Sequence, residues 1–367
     1  MVQRKKSSNK KVYAEAPPGT DYKFVDEIPA HYYPSEELKS IMQMYFATFR
    51  PTDLDLTTKD YPILGPLELK SDGAIYLAQF YQGKPHGRGE RFASDSYFVG
   101  NFNSGKMEPK GVYINYAEKK VYSGQFLDGK LFGIGEMVSA NGIYYKGDFT
   151  SNKRVGQGFL KFSDISSYNG EFFNDKFHGK GEIIYRDGSS YTGSFRVGKR
   201  HGFGELVYAN GYVYQGNWEK GQFHGQGKLI VGSGAAYQGN WVNGSKHGDG
   251  VLTAGDTTFR GTWKSNVAEG KGWLLFKIGN FDEVRVECTI SNGLVSGNIT
   301  MLIAGTRVYE GKCSAGRLEG NLSLEKLNFK NSELNQKRHE LREKLSKMVY
   351  SVPYLPNPDI ILDPEQY

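Results

Sequence analysis

One short spelling recurs along this chain at a nearly constant step, and a chain built that way folds as a row of small units. The lead aromatics, or the residues in their place, are Tyr76, Phe98, Tyr122, Tyr145, Tyr168, Tyr191, Tyr214, Tyr237, Phe259, Val286 and Tyr309. The eleven positions are separated by 22, 24, 23, 23, 23, 23, 23, 22, 27 and 23 residues. Clear copies run Tyr168-Asn-Gly170-Glu-Phe172-Phe-Asn-Asp175-Lys-Phe-His-Gly179-Lys-Gly181 and Tyr191-Thr-Gly193-Ser-Phe195-Arg-Val-Gly198-Lys-Arg-His-Gly202-Phe-Gly204. A period of this size marks an array in which each unit is completed by its neighbours.

Within a unit, the lead aromatic, the glycine two later and the ring four later share parity. In a strand they point to one face, because side chains alternate. The ring row reads Phe80, Phe102, Phe126, Phe149, Phe172, Phe195, Trp218, Trp241 and Trp263, then weakens to Ile290 and Cys313. Intervening positions such as Asn169, Glu171, Gln215, Asn217, Gln238 and Asn240 are polar, so the other face is expected to be wet. The glycine between the rings leaves room for a ring to lie across the backbone.

The seventh residue after the lead aromatic is Gly83, Gly105, Gly129, Asn152, Asp175, Gly198, Gly221, Gly244, Asn266, Gly293 or Gly316. Gly, Asn and Asp best tolerate positive φ, so a reverse turn is predicted there. A second strand then alternates through Gly179, Gly181, Ile183 and Tyr185, or Gly202, Gly204, Leu206 and Tyr208. Asp72-Gly73, Asn141-Gly142, Asp187-Gly188 and Asn210-Gly211 carry the tight-hairpin signal and predict a second turn into the next unit. Two strands and two turns per period predict an all-β fold: a single-layer antiparallel meander, elongated to roughly 100 Å at ~4.8 Å per strand.

This spelling resembles the MORN repeat, Y-x-G-x-[FW]-x-x-G-x-x-x-G-x-G, from residue 76 to about 322. The last two units depart from it, with Cys288, Ile290, Ile299, Cys313 and Leu322 replacing family glycines or aromatics, as terminal capping units do. The resemblance implies a twisted, grooved sheet that serves as a scaffold or docking surface. The family includes cytoskeletal, ciliary and membrane-junction proteins, and enzymes that carry the repeats beside a separate kinase or methyltransferase domain. Residues 1–75 and 323–367 are too short for such a domain. No nucleophile–base set, carboxylate pair or cofactor fingerprint stands outside the repeats, so no enzymatic activity and no cofactor are expected.

The repeat explains most of the 47 glycines, and the 47 Phe and Tyr with 4 Trp supply the apolar content that a glycine-rich sheet otherwise lacks. Cys288 and Cys313 occupy corresponding strands of adjacent units, ~10 Å apart and beyond disulfide reach. Reduced thiols predict a cytoplasmic setting. No apolar run approaches the ~20 residues of a membrane span, and the N-terminus lacks a signal-type apolar core.

Five segments follow. Residues 1–34 form a basic, extended tail with Arg4, Lys5, Lys6, Lys10 and Lys11 at its start. Residues 35–70 carry one amphipathic helix, with Ser35 as its cap, Glu36 and Glu37 in its first turn, and an apolar stripe of Leu38, Ile41, Met42, Tyr45 and Phe49 ending at Pro51. Residues 71–322 are the array. Residues 323–350 form a helical arm, with Leu334, Leu341, Leu345 and Met348 in line over 331–349, and residues 351–367 a proline-rich tail.

Two constellations are set aside. His86, His178, His201, His224 and His247 recur one per unit, ~10 Å apart, whereas a zinc ion needs ligands at ~2 Å. Gly100 to Lys106 and Gly193 to Lys199 imitate a phosphate loop, yet Met107 and Arg200 stand where its Ser or Thr belongs, and no helix follows.

Two others are candidate sites. The rings Phe172, Phe195, Trp218, Trp241 and Trp263, with Tyr214 and Tyr237, would expose an apolar strip larger than a soluble monomer tolerates. An amphipathic helix of a partner protein is expected to cover it, with residues 35–50 as the intramolecular candidate over the early units; self-stacking of the rings is the alternative. The residue after the turn glycine is Lys84, Lys106, Lys130, Lys153, Lys176 and Lys199 in successive units. That ladder reads either as edge protection or as a surface for acidic phospholipids or acidic protein tails. Nucleic acid is not expected, for want of a stacking platform. The expected function is a non-enzymatic scaffold in a cytoskeletal assembly, of the ciliary axonemal, radial-spoke kind; a peripheral membrane adaptor is the alternative. Homo-oligomerisation stays open.

Overall fold

The computed structural model describes residues 21–46, 63–71, 73–277, 283–320, 322–324, 339–340, 342–345, 350–353, 355 and 358. Among these, 24 strands form one open antiparallel sheet, as the two-strand, two-turn period requires. The chain divides into two compact units, Met1–Lys176 and Phe177–Tyr367, and the repeat builds each by the same rules.

The first turn of every repeat is tighter than its seventh residue alone indicates. That residue has φ between 67° and 88° at all eleven turns, but the sixth, from Gln82 to Ala315, is also positive, between 45° and 52°. Two consecutive positive φ values make a type I′ turn, whose twist matches that of the flanking strands. Val197 and Lys220 accept this conformation at φ 50° and 51°. The turns between repeats differ from the expectation. At Asn141-Gly142, Gly142 N–H donates to the Ser139 carbonyl at 3.0 Å and Ser139 N–H to that of Ile143 at 2.9 Å. The loop is therefore three residues long, with its glycine in the closing left-handed position, φ 85°. The same bonds recur around Gly188 and Gly211. A glycine that follows Asn or Asp supplies positive φ equally well to a three-residue loop.

The second strand is also less regular than strict alternation predicts. Gly193 pairs with Gly204, yet Phe195 pairs with Arg200, so residues 201–203 bulge opposite Ser194. Gly202 sits inside the bulge at φ 70°. The paired glycines have a separate purpose. A Cβ on Gly204 would stand 2.3 Å from the Tyr191 hydroxyl, and one on Gly193 2.5 Å from the same atom. The lead ring lies across both. Its hydroxyl then reaches the backbone: Tyr191 donates to the Ser194 carbonyl at 2.9 Å, Tyr168 to Glu171 at 2.9 Å and Tyr214 to Asn217 at 2.9 Å.

In the first unit, the segment read as tail contributes a strand, Tyr22–Phe24, paired with Ile63–Leu69, which pairs in turn with Ile75–Tyr81. The Tyr22 ring packs edge-on to Tyr76 at 5.8 Å and Phe80 at 5.4 Å, closing the first repeat. The helix spans Glu36–Phe46, capped by Ser35 Oγ accepting from Leu38 N–H at 3.4 Å. Phe49, Pro51 and the side chains of Met42 and Tyr45 lie outside the described residues. Leu38 is buried among Val112, Ile114, Val121 and Val138, with Ile41 alongside. Those valines and isoleucine alternate with the ring row, since Val121 precedes the lead Tyr122 and pairs with both Ile114 and Val138. The helix therefore lies on the face opposite the rings and does not cover the strip assigned to it, because that face, polar at Ser123 and Gln125, is apolar toward the turn between repeats, where Ile114, Val121 and Val138 stand side by side.

In the second unit, Cys288 and Cys313 are free and buried, and burial pushes the Cys288 thiol up to about 12. Of the helix expected over 331–349, residues 339–340 and 342–345 are helical; Leu334, Leu341 and Met348 lie outside the described residues. Leu345 is buried, and its carbonyl accepts from the Tyr350 hydroxyl at 2.8 Å.

Candidate functional site

In the second unit the ring row packs into a continuous edge-to-face chain. Tyr191 meets Phe195 at 5.1 Å and Trp218 at 5.2 Å, and Tyr214 meets Trp218 at 5.2 Å and Trp241 at 5.5 Å. Tyr237 meets Trp241 at 5.2 Å and Trp263 at 5.1 Å. Each is T-shaped, the arrangement that sets a positive ring edge against a negative face. Trp218 and Trp241 donate their indole N–H to the carbonyls of Gly204 and Gly227, each at 3.2 Å. Phe195, Tyr214, Trp218, Tyr237, Trp241 and Trp263 are all buried. In the first unit Phe172 is likewise buried, edge-on to Tyr145 and Tyr168 at 5.2 Å each. Burial also holds the Tyr214 and Tyr237 phenols well above the ordinary tyrosine range.

What lies over the rings comes from a position the repeat spelling leaves variable. The ninth residue after the lead aromatic is Arg154, Phe177, Arg200, Phe223, Lys246, Ala268 and Val295 in successive repeats. In the second unit Phe223 stacks flat on Tyr214 at 3.7 Å, with Trp218 and Trp241 flanking it at 4.8 and 5.2 Å. Arg200 places its guanidinium 4.6 Å from the Trp218 ring and 5.8 Å from Tyr191. The Lys246 ammonium stands 5.8 to 6.0 Å from Tyr237, Trp241 and Trp263. Aromatic faces attract such cations, more strongly where water is excluded. Both are as buried as the core, at 1% exposure each. Burial alone brings the Lys246 amine down to about 8. The first unit repeats the motif with Arg154, which sits 5.3 Å from the Phe172 ring and pairs with Asp175 at 3.2 Å.

The chain's own C-terminal segment follows this row. Tyr350 N–H donates to Gly316 O at 2.8 Å, Val295 N–H to Tyr350 O at 3.0 Å and Val352 N–H to Gly293 O at 2.8 Å, with Ser351 bridged antiparallel to Leu294. Five residues beyond Tyr350, the Leu355 carbonyl accepts a 2.6 Å bond from Lys246 Nζ. Turn-edge backbone and the ring-framed Lys246 thus bind an extended stretch of polypeptide through its main chain. Sequence reading missed the ninth-position row because it followed what recurs in every repeat. The signal was available in the cations at 154, 200 and 246, two repeats apart and separated by phenylalanines.

The lysines lie elsewhere. Lys84, Lys106, Lys130, Lys153 and Lys176 in the first unit, and Lys199 in the second, each open a strand and are exposed. Lys106 pairs with Asp128. The ammonium groups therefore stand at the turns, next to the buried ninth position but pointing into solvent.

Comparison with known proteins gives one family. The model described as "MORN repeat" matches residues 76–96, 122–144, 145–164, 168–190, 191–211, 214–235, 237–258 and 259–281, eight repeats in all. Eleven is therefore an overcount: the hairpins led by Phe98, Val286 and Tyr309 are outside the matches. Pro109 occupies the bulge-glycine position in the first of these, and Cys288 and Cys313 occupy ring or glycine positions in the other two. No curated protein sequence matches the chain significantly. Two solved structures are weakly similar. One is the SAS-4 (dCPAP) TCP domain of Drosophila melanogaster in complex with a proline-rich motif of Ana2 (dSTIL), 10% identical, covering 50% of this chain and 84% of that one at TM-score 0.25. The other is a streptogramin B lyase, 10% identical, covering 54% and 88% at TM-score 0.13. Neither score bears on this chain's function.

Proposed function

The chain is a MORN-repeat protein, and from that premise we propose that it is a non-enzymatic scaffold whose array docks extended segments of polypeptide. MORN repeats are commonly protein- or membrane-binding modules. The observation that carries the protein-binding reading is the seat of residues 350–353 and 355: four bonds to their main chain, three from backbone and one from Lys246, already hold them against the turn edge. Main-chain hydrogen bonds of this kind supply affinity without demanding one sequence, as in strand addition generally. The assembly we propose is cytoskeletal and cytoplasmic, with a ciliary axoneme of the radial-spoke kind as its setting, a choice guided by the family's range.

The exposed lysines favour a second reading, a peripheral adaptor on acidic phospholipids, since each opens a strand with its charge in solvent. The two readings separate in one experiment. The full chain is presented with purified axonemal or cytoskeletal proteins and, in parallel, with vesicles rich in acidic phospholipid, at low and high salt. Scaffold function predicts saturable capture of a defined protein that survives charge reversal of Lys130, Lys153, Lys176 and Lys199. Capture by vesicles alone, collapsing as salt screens the lysines, would replace the scaffold by the adaptor.

A further inference from the structure

The bonds to residues 350–353 and 355 follow a rule of the turns. In successive repeats the N–H of the seventh residue donates to the carbonyl of the ninth residue one repeat back, as Asn266 does to Lys246 at 3.0 Å and Gly316 to Val295 at 2.9 Å. The fate of the ninth residue's own N–H depends on which residue turns. Asn and Asp cap it with a side-chain oxygen: Asn152 accepts from Leu131 N–H at 2.7 Å, Asp175 from Arg154 at 3.0 Å and Asn266 from Lys246 at 2.8 Å. Glycine has no such oxygen. At Gly316 the Val295 N–H donates to the Tyr350 carbonyl, and the carbonyls of Gly316 and Gly293 accept from Tyr350 and Val352. A glycine turn in these last hairpins is therefore an edge that an added backbone completes. At the far end of the seat stands Lys246, which keeps its charge at pH 7 although burial lowers its amine to about 8. Among the described residues no carboxylate pairs with that ammonium; its hydrogen bond goes to the neutral Leu355 carbonyl.

We propose that the edge at Gly293, Val295 and Gly316, together with Lys246, is a docking site for the extended C-terminal end of a partner protein, and that residues 350–353 and 355 occupy it in cis until such an end displaces them. The partner's terminal carboxylate takes the ammonium. The oxygen that Lys246 now bonds belongs to the main chain, so a carboxylate that fits the same place is a chain end and not a side chain. Folding has already stripped the ammonium of water, which leaves only the incoming carboxylate to be dehydrated. The charge-assisted bond it then makes is roughly twice as strong as a neutral one. The bonds along the glycine edge are main-chain to main-chain and serve any extended peptide. Selection comes from the Tyr350 position, where the side chain is 2% exposed, its ring 5.8 Å from Phe276 and its hydroxyl on the Leu345 carbonyl at 2.8 Å. The fitting partner thus carries a tyrosine five residues before its terminal carboxylate, the spacing of Tyr350 and Leu355. This chain's own segment has the tyrosine and the extended backbone, but it continues past Leu355 and offers a carbonyl where a carboxylate binds better.

The inference rests on the docking reading, and its test uses a synthetic peptide so that the two can fail separately. A fluorescein-labelled hexapeptide with the sequence of residues 350–355, Tyr-Ser-Val-Pro-Tyr-Leu, is prepared with a free C-terminal carboxylate and as the C-terminal amide. Each is titrated into the full chain at pH 7 and followed by fluorescence anisotropy. The acid should bind saturably and about tenfold more tightly than the amide. That comparison uses the wild-type chain, so it does not depend on any variant folding. Tyr350→Ala, which loosens the resident segment, should raise affinity for the acid about threefold or more. Gly316→Asn should lower it, because asparagine at that φ of 79° gives the Val295 N–H the cap that Asn266 gives Lys246. Lys246→Met should make acid and amide bind alike. Equal binding of acid and amide to the wild type, or no binding of the acid to Tyr350→Ala, would overturn the proposal. So would a wild-type dimer that Tyr350→Ala returns to monomer by light scattering, since a second copy would then be the occupant. Capture of cytoskeletal protein by the full chain is measured without the peptide, so either failure leaves the scaffold reading standing.

Discussion

Val197 is a β-branched residue held at φ 50° in a type I′ turn, a conformation that costs an L-residue about 1–2 kcal/mol. Its side chain is exposed, so little packing offsets the strain. Val197→Asn should stabilise the second unit by ~0.5–1 kcal/mol, read as a higher urea midpoint with an unchanged slope; an unchanged or lower midpoint would mean that the valine side chain contributes packing after all. The seventh turn residue was legible because only Gly, Asn and Asp occupy it, whereas the sixth was not, since Gln, Ser, Asp, Asn, Val, Lys and Ala all appear there. Strain tolerated in one copy of a repeat leaves no mark in the spelling. Lys246 gives a second test at this scale. Its folded value of about 8 lies below lysine's ordinary ~10.4, so unfolding takes up a proton between those limits. The contribution to stability is complete above ~10.4, falls as pH drops through the window, and is fully lost below 8. The wild type should therefore gain stability relative to Lys246→Met between pH 8 and 10, by at most ~3 kcal/mol, less whatever the bond to Leu355 offsets. A flat difference across that window would place the amine in water.

At the scale of elements, the Glu36–Phe46 helix was readable in outline and misplaced in detail. Its cap, its acidic first turn and its buried Leu38 follow from Ser35, Glu36, Glu37 and the apolar spacing. Its dock did not follow, because the first unit is apolar on both faces: Tyr122 and Phe126 point one way, Val121 the other, with Val112, Ile114 and Val138 joining Val121. The polar reading rested on the positions one and three after the lead aromatic, such as Gln215, Asn217, Gln238 and Asn240, whereas Val121 precedes its lead Tyr122 and Val138 closes the second strand, so that pattern did not report on the patch where the helix docks. Leu38→Ala should cost ~2–4 kcal/mol of local stability, the usual range for emptying a packed leucine site. Hydrogen exchange should accelerate in the helix and in the strands Lys106–Asn115 and Lys120–Leu127, while the Tyr145–Phe149–Phe172 cluster keeps its protection. Acceleration at that cluster would return the helix to the ring face. The C-terminal segment was equally out of reach of sequence alone. Its four prolines announce extended chain, but the bonds of Tyr350, Ser351 and Leu355 exist only where the turn edge and Lys246 have already been assembled by residues far away in sequence.

For the molecule as a whole, the repeat commits an unusual number of phenols to the interior, and that sets its alkaline limit. Burial raises Tyr97, Tyr116, Tyr122 and Tyr145 in the first unit and Tyr214, Tyr237 and Tyr350 in the second. Nearby carboxylates add to this at Tyr97, which donates to Glu90 at 3.0 Å, and at Tyr122, which donates to Glu118 at 3.2 Å. The lead tyrosines cannot ionise in place, because the hydroxyls of Tyr145, Tyr214 and Tyr237 donate to backbone carbonyls, and a phenolate there would meet an acceptor with no proton to share. A group whose folded value lies above its unfolded one contributes stability that is complete below the unfolded value of about 10 and is lost as pH rises beyond it. Each such tyrosine acts in the same direction, so the losses accumulate steeply. Phenolate absorbance followed upward from pH 9 should show these tyrosines silent until a cooperative step that coincides with loss of the strand signal in circular dichroism. The step should be displaced to lower pH by Gly204→Ala, whose new Cβ would stand 2.3 Å from the Tyr191 hydroxyl and so loosen one ring from its seat. If the buried phenols instead ionise gradually while the sheet stays intact, the rings are open to water and the lead tyrosines are not the internal supports of the array.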